Sequence, residues 1–350
     1  MPKIDRVDLV VPFHMVDKLL WKAAKSASKS KRVSMNIIFM DDRREVSQND
    51  GFVLTKIADM LEKKGIEHSF NKTSLHGYAN ALNESKLLVK SEFVAILNSD
   101  DLVSKNRLWR QAREIHKGFD LSICRLRKFN KIFFLPHMLG SLKTFFEPEM
   151  LLLGAYGADA SLFTTKQIWQ TDLEFTPDIE MSDWDMALRC YQRFKVSFIS
   201  KPLYFYRMHK RQTSRRATSG ASISSEFYAS WCALAEKLKF PLLDAQQVSV
   251  VATPWSAACE LSEGQKNDVL IWLKNFQERL EQKNLRSDVI DRRFILLKLR
   301  GYSSRVSFNV VIKMLLDLMW LCVLIQPPRI HWRPPKLLGT RGNGTSPIRE

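Results

Sequence analysis

The stretch Phe93–Asp101, FVAILNSDD, carries the pattern on which the fold depends. Its apolar run ends abruptly in Asn98, Ser99, Asp100 and Asp101. A short continuous apolar run is typical of a strand that is buried on both faces. Two interpretations of the polar end stay open at this point. It is either an ordinary turn that closes the strand, or the place where the strand presents acids to a ligand.

The residues before this stretch alternate between strand-like and helix-like patterns. Short, largely apolar runs predict strands over residues 7–11, 35–40 and 92–97, and a further strand is predicted over residues 66–70. Between them, apolar residues spaced as on one face of a helix predict three helices, over residues 16–27, 53–61 and 78–89. Strands that alternate with helices in this way predict an α/β fold, with a Rossmann-like, mostly parallel sheet and helices on both faces.

Polar residues follow three of the predicted strands. These clusters are Pro12–His14, Asp41 with Asp42, and Asn98–Asp101. In parallel sheets, ligands bind outside the carboxyl ends of the strands. Each cluster alone is also typical of a turn. Together they indicate one edge of one sheet, and therefore one binding site.

The later chain divides into regions of different character. A helix through Trp109, a strand over 121–126, a helix over 182–193 and a strand over 196–199 continue the α/β pattern. From about residue 217 the pattern is mainly helical. We therefore predict an α/β domain over residues 1–216, a helical region over 217–305, and an amphipathic apolar helix with a basic tail over 306–350.

Composition restricts the compartment and the class of partner. The net charge of +17 favours polyanionic partners, such as nucleic acid, phosphorylated ligands or anionic lipid. The five cysteines are scattered, which argues against a disulfide framework and against a thiolate zinc site. The first residues, MPKIDRVDLVVPF, lack the apolar core of a signal peptide. We therefore expect a cytoplasmic protein.

Six segments in order resemble the landmarks of the family 2 glycosyltransferases, which are inverting enzymes with the GT-A fold. The segments are LVVPFH, IIFMDD, GYANALN, FVAILNSDD, MSDWDMALR and PLYFYRMH. The match spans roughly residues 7–214, so the resemblance covers the predicted α/β domain. The sequence departs from the family pattern at three positions: Asn98 replaces the first acid of the DxD-like motif, Leu82 stands where an arginine is common, and Ser182 stands where an acid is common.

The resemblance implies a nucleotide-sugar donor and a divalent cation, Mn²⁺ or Mg²⁺. It places the cation at Asp100 and His209, and the general base at Asp183. It places the remaining donor contacts at residues that lie in the shared motifs. These residues are Pro12, His14, Asp41, Asp42, Asn83, Asn98, Ser99, Asp100 and Arg207. The segment with Arg207 and His209 resembles a loop that closes over the diphosphate.

Local chemistry offers structural alternatives for several of these residues. Ser182 and Asp185 fit a capping box, and the dipole of the same helix would lower the pKa of Asp183. Asp101 can instead shape a turn and cap the helix that begins near Ser104. Asn83 is either a structural or a donor-side contact.

The acceptor is expected to be a saccharide or a lipid-linked saccharide, as in polysaccharide biosynthesis. Residues 306–336 combine an apolar amphipathic stretch with basic and aromatic residues. They suit either packing on the catalytic domain or contact with the inner leaflet of a membrane.

Three other functions remain as alternatives. The first is a catalytically silent nucleotide-sugar binder. The second is a sugar-1-phosphate nucleotidyltransferase. That class has a glycine-rich signature after the first strand, and the segment LVVPFHMVD of this chain does not contain it. The third is a nucleic-acid-binding protein, which the spread of positive charge along the chain disfavours, so we expect no nucleic-acid partner.

Overall fold

The structure is a computed structural model that describes residues 6–45, 50–129, 148–153, 160–177, 182–207, 223–252 and 261–283. The chain divides into two units, Met1–Ile295 and Leu296–Glu350, and all described residues belong to the first. The metal candidate His209 and the segment 306–336 lie outside the described residues. The domain boundaries inferred from the sequence stay predictions.

One mixed sheet forms the centre of the described part. Its strands in chain order are β1 (Arg6–Phe13), β2 (Ser34–Asp41), β3 (Glu67–Lys72), β4 (Phe93–Ile96), β5 (Leu102–Val103), β6 (Leu121–Phe129), β7 (Phe163–Thr165) and β8 (Val196–Arg207). Their order across the sheet is β3-β2-β1-β4-β7-β6-β8-β5. Strand β1 pairs in parallel with β2 and with β4, and β2 pairs in parallel with β3. Strand β6 pairs in parallel with β8. Strands β5 and β7 are antiparallel to theirs. The predicted mostly parallel sheet is confirmed.

Helices cover both faces of this sheet. They are α1 (Lys18–Ala27), α2 (Asp50–Glu62), α3 (Tyr78–Ser85), α4 (Arg107–Ile115), α5 (Lys166–Thr171) and α6 (Ser182–Arg193). The apolar faces of α1, α2 and α4 share one core with the sheet, whereas α3, α5 and α6 share the core of the opposite face. The two cores explain why β1, β2 and β4 are largely apolar, since the residues of a strand between two cores face one core or the other.

The chain after residue 223 is helical where it is described, as the sequence predicts. It forms α7 (Ser225–Lys237), α8 (Ala245–Ala252) and α9 (Glu263–Gln282), and a short 3₁₀ helix spans Pro148–Leu152. Aromatic rings in contact join these helices, including the tilted pair of Trp231 and Trp272 at 5.8 Å between centroids. No helix in the described ranges has both the length and the apolar character needed to cross a bilayer.

Strand β8 differs from the sequence interpretation in a way that affects the site. The sequence predicts a strand over residues 196–199 followed by a loop, but β8 continues to Arg207. The extension pairs with β6, with irregular register after Cys124, and with the two-residue strand β5. Because β5 follows Asp101 directly, its pairing with Tyr204 and Phe205 fixes the acidic stretch against the end of β8.

Candidate functional site

The carboxyl ends of β1, β2 and β4 meet at one edge of the sheet. Phe13 pairs with Asp41 at the end of β1 and β2, and Phe13 O accepts a hydrogen bond from Asp42 N at 2.9 Å. Leu97 N continues the ladder by donating to Val10 O at 2.9 Å. Pro12 is buried in β1 near this edge, and His14, the first residue after β1, is exposed. The three polar clusters therefore share one edge.

Asp41 is bound by an arginine that the sequence analysis did not assign to the site. Its oxygens accept from Arg43 Nε at 2.8 Å and from Arg43 Nη2 at 2.6 Å, and Arg43 also pairs with Asp50. Burial alone would raise the pKa of the Asp41 carboxyl, but the hydrogen bonds and charge of Arg43, together with Lys72, lower it. Asp41 is thus an ionised group whose two oxygens are both engaged.

Asp42 connects the end of β2 to the start of α3. Its Oδ1 accepts from Gly77 N at 2.7 Å and lies 3.6 Å from His76 Nδ1. Gly77 is the N-cap of α3 and has a φ of +115°, a conformation that residues with a Cβ rarely adopt. Gly77 therefore permits this turn and also provides the amide that fixes Asp42.

Two tyrosines hold Asn98 in place. Tyr78 Oη donates to Asn98 Oδ1 at 3.0 Å, and Asn98 N donates to Tyr204 Oη at 3.1 Å. Ser99 and Asp100, which follow, are half-buried. Neither tyrosine was identified from the sequence, although Tyr78 lies in the motif GYANALN and Tyr204 in PLYFYRMH. Asn98 accordingly links α3, β4 and β8.

Asp101 is the centre of a buried network at this edge. Its side chain is fully buried and accepts from Tyr204 Oη at 2.8 Å and from Arg207 N at 2.7 Å. The suggested role as a helix cap is wrong, because α4 begins at Arg107 with Asn106 as its N-cap. Asp101 instead fastens the acidic stretch to the last residue of β8.

Arg207 faces the same acidic stretch. Its Nε donates to Asp100 O at 2.7 Å, and its guanidinium lies 4.6 Å from the ring centroid of Phe129. Burial lowers the pKa of Arg207, and the charges of Asp101, Asp100 and Asp17 act against this shift. The structure therefore brings Arg207 and Asp100 together, but Arg207 ends a strand and is not part of a loop.

A second buried arginine supports the network from below. Arg107 is completely buried, donates to Ile96 O at 2.7 Å and to Gln111 Oε1 at 2.8 Å, and lies 5.0 Å from the ring centroid of Tyr204. The apolar spacing of this helix did not identify Arg107 or Gln111, because pattern analysis treats polar residues as surface positions. Their four-residue spacing on the face of Leu108 and Ala112 was the available signal.

Asp183 occupies the first turn of α6 and is half-buried. Its Oδ1 accepts from Trp184 N at 2.8 Å. Burial raises the pKa of the Asp183 carboxyl, and this effect exceeds the opposing effect of the backbone hydrogen bonds. The expected lowering of this pKa is therefore wrong, because the loss of hydration outweighs the backbone hydrogen bonds that act in the other direction.

Asp185 is not the partner in a capping box. Its carboxylate accepts from Thr176 Oγ1 at 2.8 Å, from Arg189 Nη2 at 2.9 Å and from Ser230 Oγ at 2.6 Å. These bonds tie α6 to the preceding segment and to α7. Asp185 therefore joins α6 to its neighbours, whereas the side chain of Asp183 bonds within its own helix, to Trp184 N.

Asn83 is engaged on both sides of its amide. Its Nδ2 donates to Phe175 O at 2.7 Å, and its Oδ1 accepts from Phe175 N at 3.0 Å. This pair of bonds holds the segment that leads to α6 against α3. The geometry is that of a structural contact, and Asn83 as a donor contact stays a prediction.

The described side chains at this edge limit how a metal ion could be bound. In the described part of the chain, no group of three or more His, Cys, Asp or Glu side chains is arranged to hold a metal ion. Mg²⁺ commonly uses only one or two carboxylates together with phosphate and water oxygens. Asp100 fits this requirement, whereas the oxygens of Asp101 already accept from Tyr204 and Arg207. The second candidate ligand, His209, lies outside the described residues.

Comparison with known proteins agrees with this architecture. Residues 8–160 match the family model described as glycosyl transferase family 2. No match was found among the curated proteins.

Two solved structures share the fold. TarS 1–349 from S. aureus, in complex with UDP-GlcNAc, is 14% identical, with a TM-score of 0.55 over 85% of this chain and 92% of that one. The mannosyltransferase PcManGT from Pyrobaculum calidifontis, in complex with GDP-Man and Mn²⁺, is 11% identical, with a TM-score of 0.51 over 92% of this chain and 81% of that one. At these sequence identities the similarity shows a shared fold alone.

Proposed function

We propose that this chain, whose residues 8–160 match the glycosyl transferase family 2 model, moves a sugar from a nucleotide-diphosphate sugar to an acceptor hydroxyl, with inversion at the anomeric carbon. One observation carries the proposal: Asp41, Asp42, Asp100 and Arg207 lie along a single edge at the carboxyl ends of β1, β2, β4 and β8. This is the edge at which α/β sheets bind nucleotides. The donors bound by the two similar structures support a nucleotide sugar.

The nucleotide would lie over the ends of β1 and β2. Pro12 and His14 border this position through the backbone, and the arginine-bound Asp41 with the glycine-bound Asp42 provide fixed carboxylates for the base. Asn98 and Ser99 would contact the next part of the donor. Because Arg43 and Gly77 fix these carboxylates before the donor arrives, binding would require little reorganisation.

The diphosphate would lie beside Asp100 and Arg207. Asp100 would hold Mn²⁺ or Mg²⁺, with His209 as the second candidate ligand, and the ion would neutralise charge that develops on the leaving diphosphate. Arg207 is held rigidly by Asp100 O and by Asp101, so its positive charge is in place before the bond to the sugar breaks.

Asp183 would act as the general base. It would take the proton of the acceptor hydroxyl while the hydroxyl oxygen bonds to the anomeric carbon, and the bond from that carbon to the diphosphate would break on the opposite side. The raised pKa of Asp183 suits this role, because a carboxylate that binds its proton more tightly is the stronger base.

The acceptor would be a saccharide or a lipid-linked saccharide, which places the activity in polysaccharide biosynthesis. A cytoplasmic protein, with segment 306–336 in contact with the inner leaflet, would be suited to a lipid-linked acceptor. Nucleic acid is not expected as a substrate, because the basic and aromatic residues of the sequence do not form a recognised nucleic-acid-binding module.

The proposal is tested in two steps. First, UDP- and GDP-sugars are screened by thermal shift with and without Mn²⁺, and at least one is expected to stabilise the protein. Second, hydrolysis and transfer of that donor are measured for Asp183→Asn. Donor binding should persist while turnover falls by about 10²–10⁴-fold. The matched control is Asp172→Asn, which removes a carboxylate from an exposed pair with Arg193 and should leave turnover unchanged.

The outcomes separate the alternatives. A donor that binds to the wild-type protein but is neither hydrolysed nor transferred would establish the catalytically silent binder. Wild-type turnover by Asp183→Asn would remove Asp183 from the mechanism. If no nucleotide sugar binds under either condition, the proposed function is wrong.

A further inference from the structure

Among the described residues, cations that are spread along the sequence come together on one outer surface, formed by α1, α2 and α4. These helices share one core on the same face of the sheet, with α1 in contact with α2 and with β5, which precedes α4. Their cationic side chains point away from that core and are exposed or half-exposed. We call this surface the basic face, and it consists of Lys18, Lys22, Lys25, Lys29, Lys31, Arg32, Lys56, Lys105, Arg110 and Arg113.

The charge of the basic face is not neutralised within the described part of the chain. Residues 18–32 contain six lysines and arginines and no acid. None of the ion pairs formed by described residues involves a member of the basic face. The exposed carboxylates of the three helices, Asp59 and Glu62, both belong to α2. Like charges this close repel one another, so an external anion would relieve a cost that the fold carries.

Two tryptophans lie within the basic face, and cations cover their rings. Lys25 and Lys56 lie 4.5 and 5.1 Å from the ring centroid of Trp21. Around the ring of Trp109, Arg32 lies at 4.5 Å, Arg113 at 5.2 Å and Arg110 at 5.7 Å. Each indole thus holds its cations in place, which lowers the entropy lost when they meet an anion.

The arrangement does not suit recognition of nucleic-acid bases. Single strands bind by stacking bases on open aromatic faces, but cations cover the rings of Trp21 and Trp109. Duplex DNA is read by a helix that enters a groove, but α1, α2 and α4 lie flat on the sheet. A broad surface rich in lysine instead complements a broad anionic surface whose charge is not localised, which is the chemistry of an acidic bilayer.

We propose that the basic face docks this protein on an anionic phospholipid bilayer. Lysines 18, 22, 25 and 29 follow one another at intervals of four, three and four residues, so they form one stripe along α1 and its end. The stripe would face the headgroups, while Trp21 and Trp109, packed against the core, hold the cations around them in place.

The test measures binding of the full chain to vesicles by sedimentation. The vesicles consist of phosphatidylcholine alone, or of equal parts phosphatidylcholine and phosphatidylglycerol. The variant is Lys22→Gln/Lys25→Gln/Lys29→Gln, in which glutamine preserves helix propensity. The control is Lys195→Gln/Lys201→Gln/Lys274→Gln, which removes the same charge from exposed lysines elsewhere. Each melting temperature is measured to establish that both variants fold.

We expect binding to the acidic vesicles and little binding to phosphatidylcholine. The α1 variant should bind the acidic vesicles roughly a hundredfold more weakly, and the control should change by less than about threefold. Raising the salt concentration should weaken binding of the wild-type protein. Equal losses in the two variants would assign binding to net charge and overturn the proposal. So would wild-type binding to duplex DNA or heparin without binding to acidic vesicles.

Discussion

Replacing the carboxylate of Asp101 by an amide should lower the free energy of unfolding far more than the same replacement at its neighbour Asp100. Asp101 is fully buried and accepts hydrogen bonds from Tyr204 Oη and Arg207 N. Asp101→Asn leaves one acceptor oxygen for two donors. It also removes a negative charge that acts on the completely buried Arg107.

The size of the effect follows from these contacts. A hydrogen bond to a charged group contributes about 1.5–3 kcal/mol, and a buried donor left without an acceptor costs about 1–3 kcal/mol. One lost bond together with the lost charge therefore lowers the free energy of unfolding by about 3 kcal/mol. At about 2–4 °C per kcal/mol for a domain of this size, the melting temperature should fall by about 6–12 °C.

Thermal unfolding of Asp101→Asn and Asp100→Asn, followed by circular dichroism at neutral pH, provides the measurement. Asp100 is half-buried, so Asp100→Asn should lower the free energy of unfolding by less than about 1 kcal/mol. It should instead weaken the stabilisation by a nucleotide sugar with Mn²⁺. Equal loss of stability in the two variants would refute the division of these adjacent acids into a structural and a functional one.

Three further predictions concern other residues. The turnover number should fall as the pH falls through the raised pKa of Asp183, so its acidic limb should lie above the ordinary aspartate value of 3.8, as a pH–rate profile will determine. Asp41 has a lowered pKa, so its stabilising effect is complete above pH 3.8 and is lost as the pH falls through the lowered pKa. The difference in melting temperature between the wild-type protein and Asp41→Asn should therefore vanish in acid. Asn83→Ala leaves the Phe175 amide and carbonyl unpaired and should cost about 2 kcal/mol in urea unfolding, whereas Asn80→Ala, on the exposed side of α3, should cost less.

The sequence was sufficient to predict the architecture of the first half of the chain. Strand and helix patterns are local, and each buried strand here is a continuous apolar run that a single window of residues reveals. The edge of the site was predictable for the same reason, because the polar residues at 12–14, 41–42 and 98–101 directly follow such runs. Parallel pairing then places those ends together without further information.

The partners of these residues could not be predicted, because they come from distant parts of the chain. Asp100 and Asp101 are adjacent and chemically identical in the sequence. Only the pairing of β5 with the end of β8, more than a hundred residues later, buries Asp101 against Tyr204 and Arg207. The same holds for Asn83, whose two partners lie on the backbone of Phe175.

Asp183 shows the limit of local reasoning most directly. Its position in the first turn of a helix is a property of the sequence, and it predicted a lowered pKa from the helix dipole. The raised pKa depends on how much water the surrounding elements exclude, which only the tertiary structure determines. The sequence thus determined the order of strands and helices and which residues lie at the site edge. The tertiary structure determined which of these residues are buried and bonded, because burial and non-local hydrogen bonds exist only once distant segments pack together.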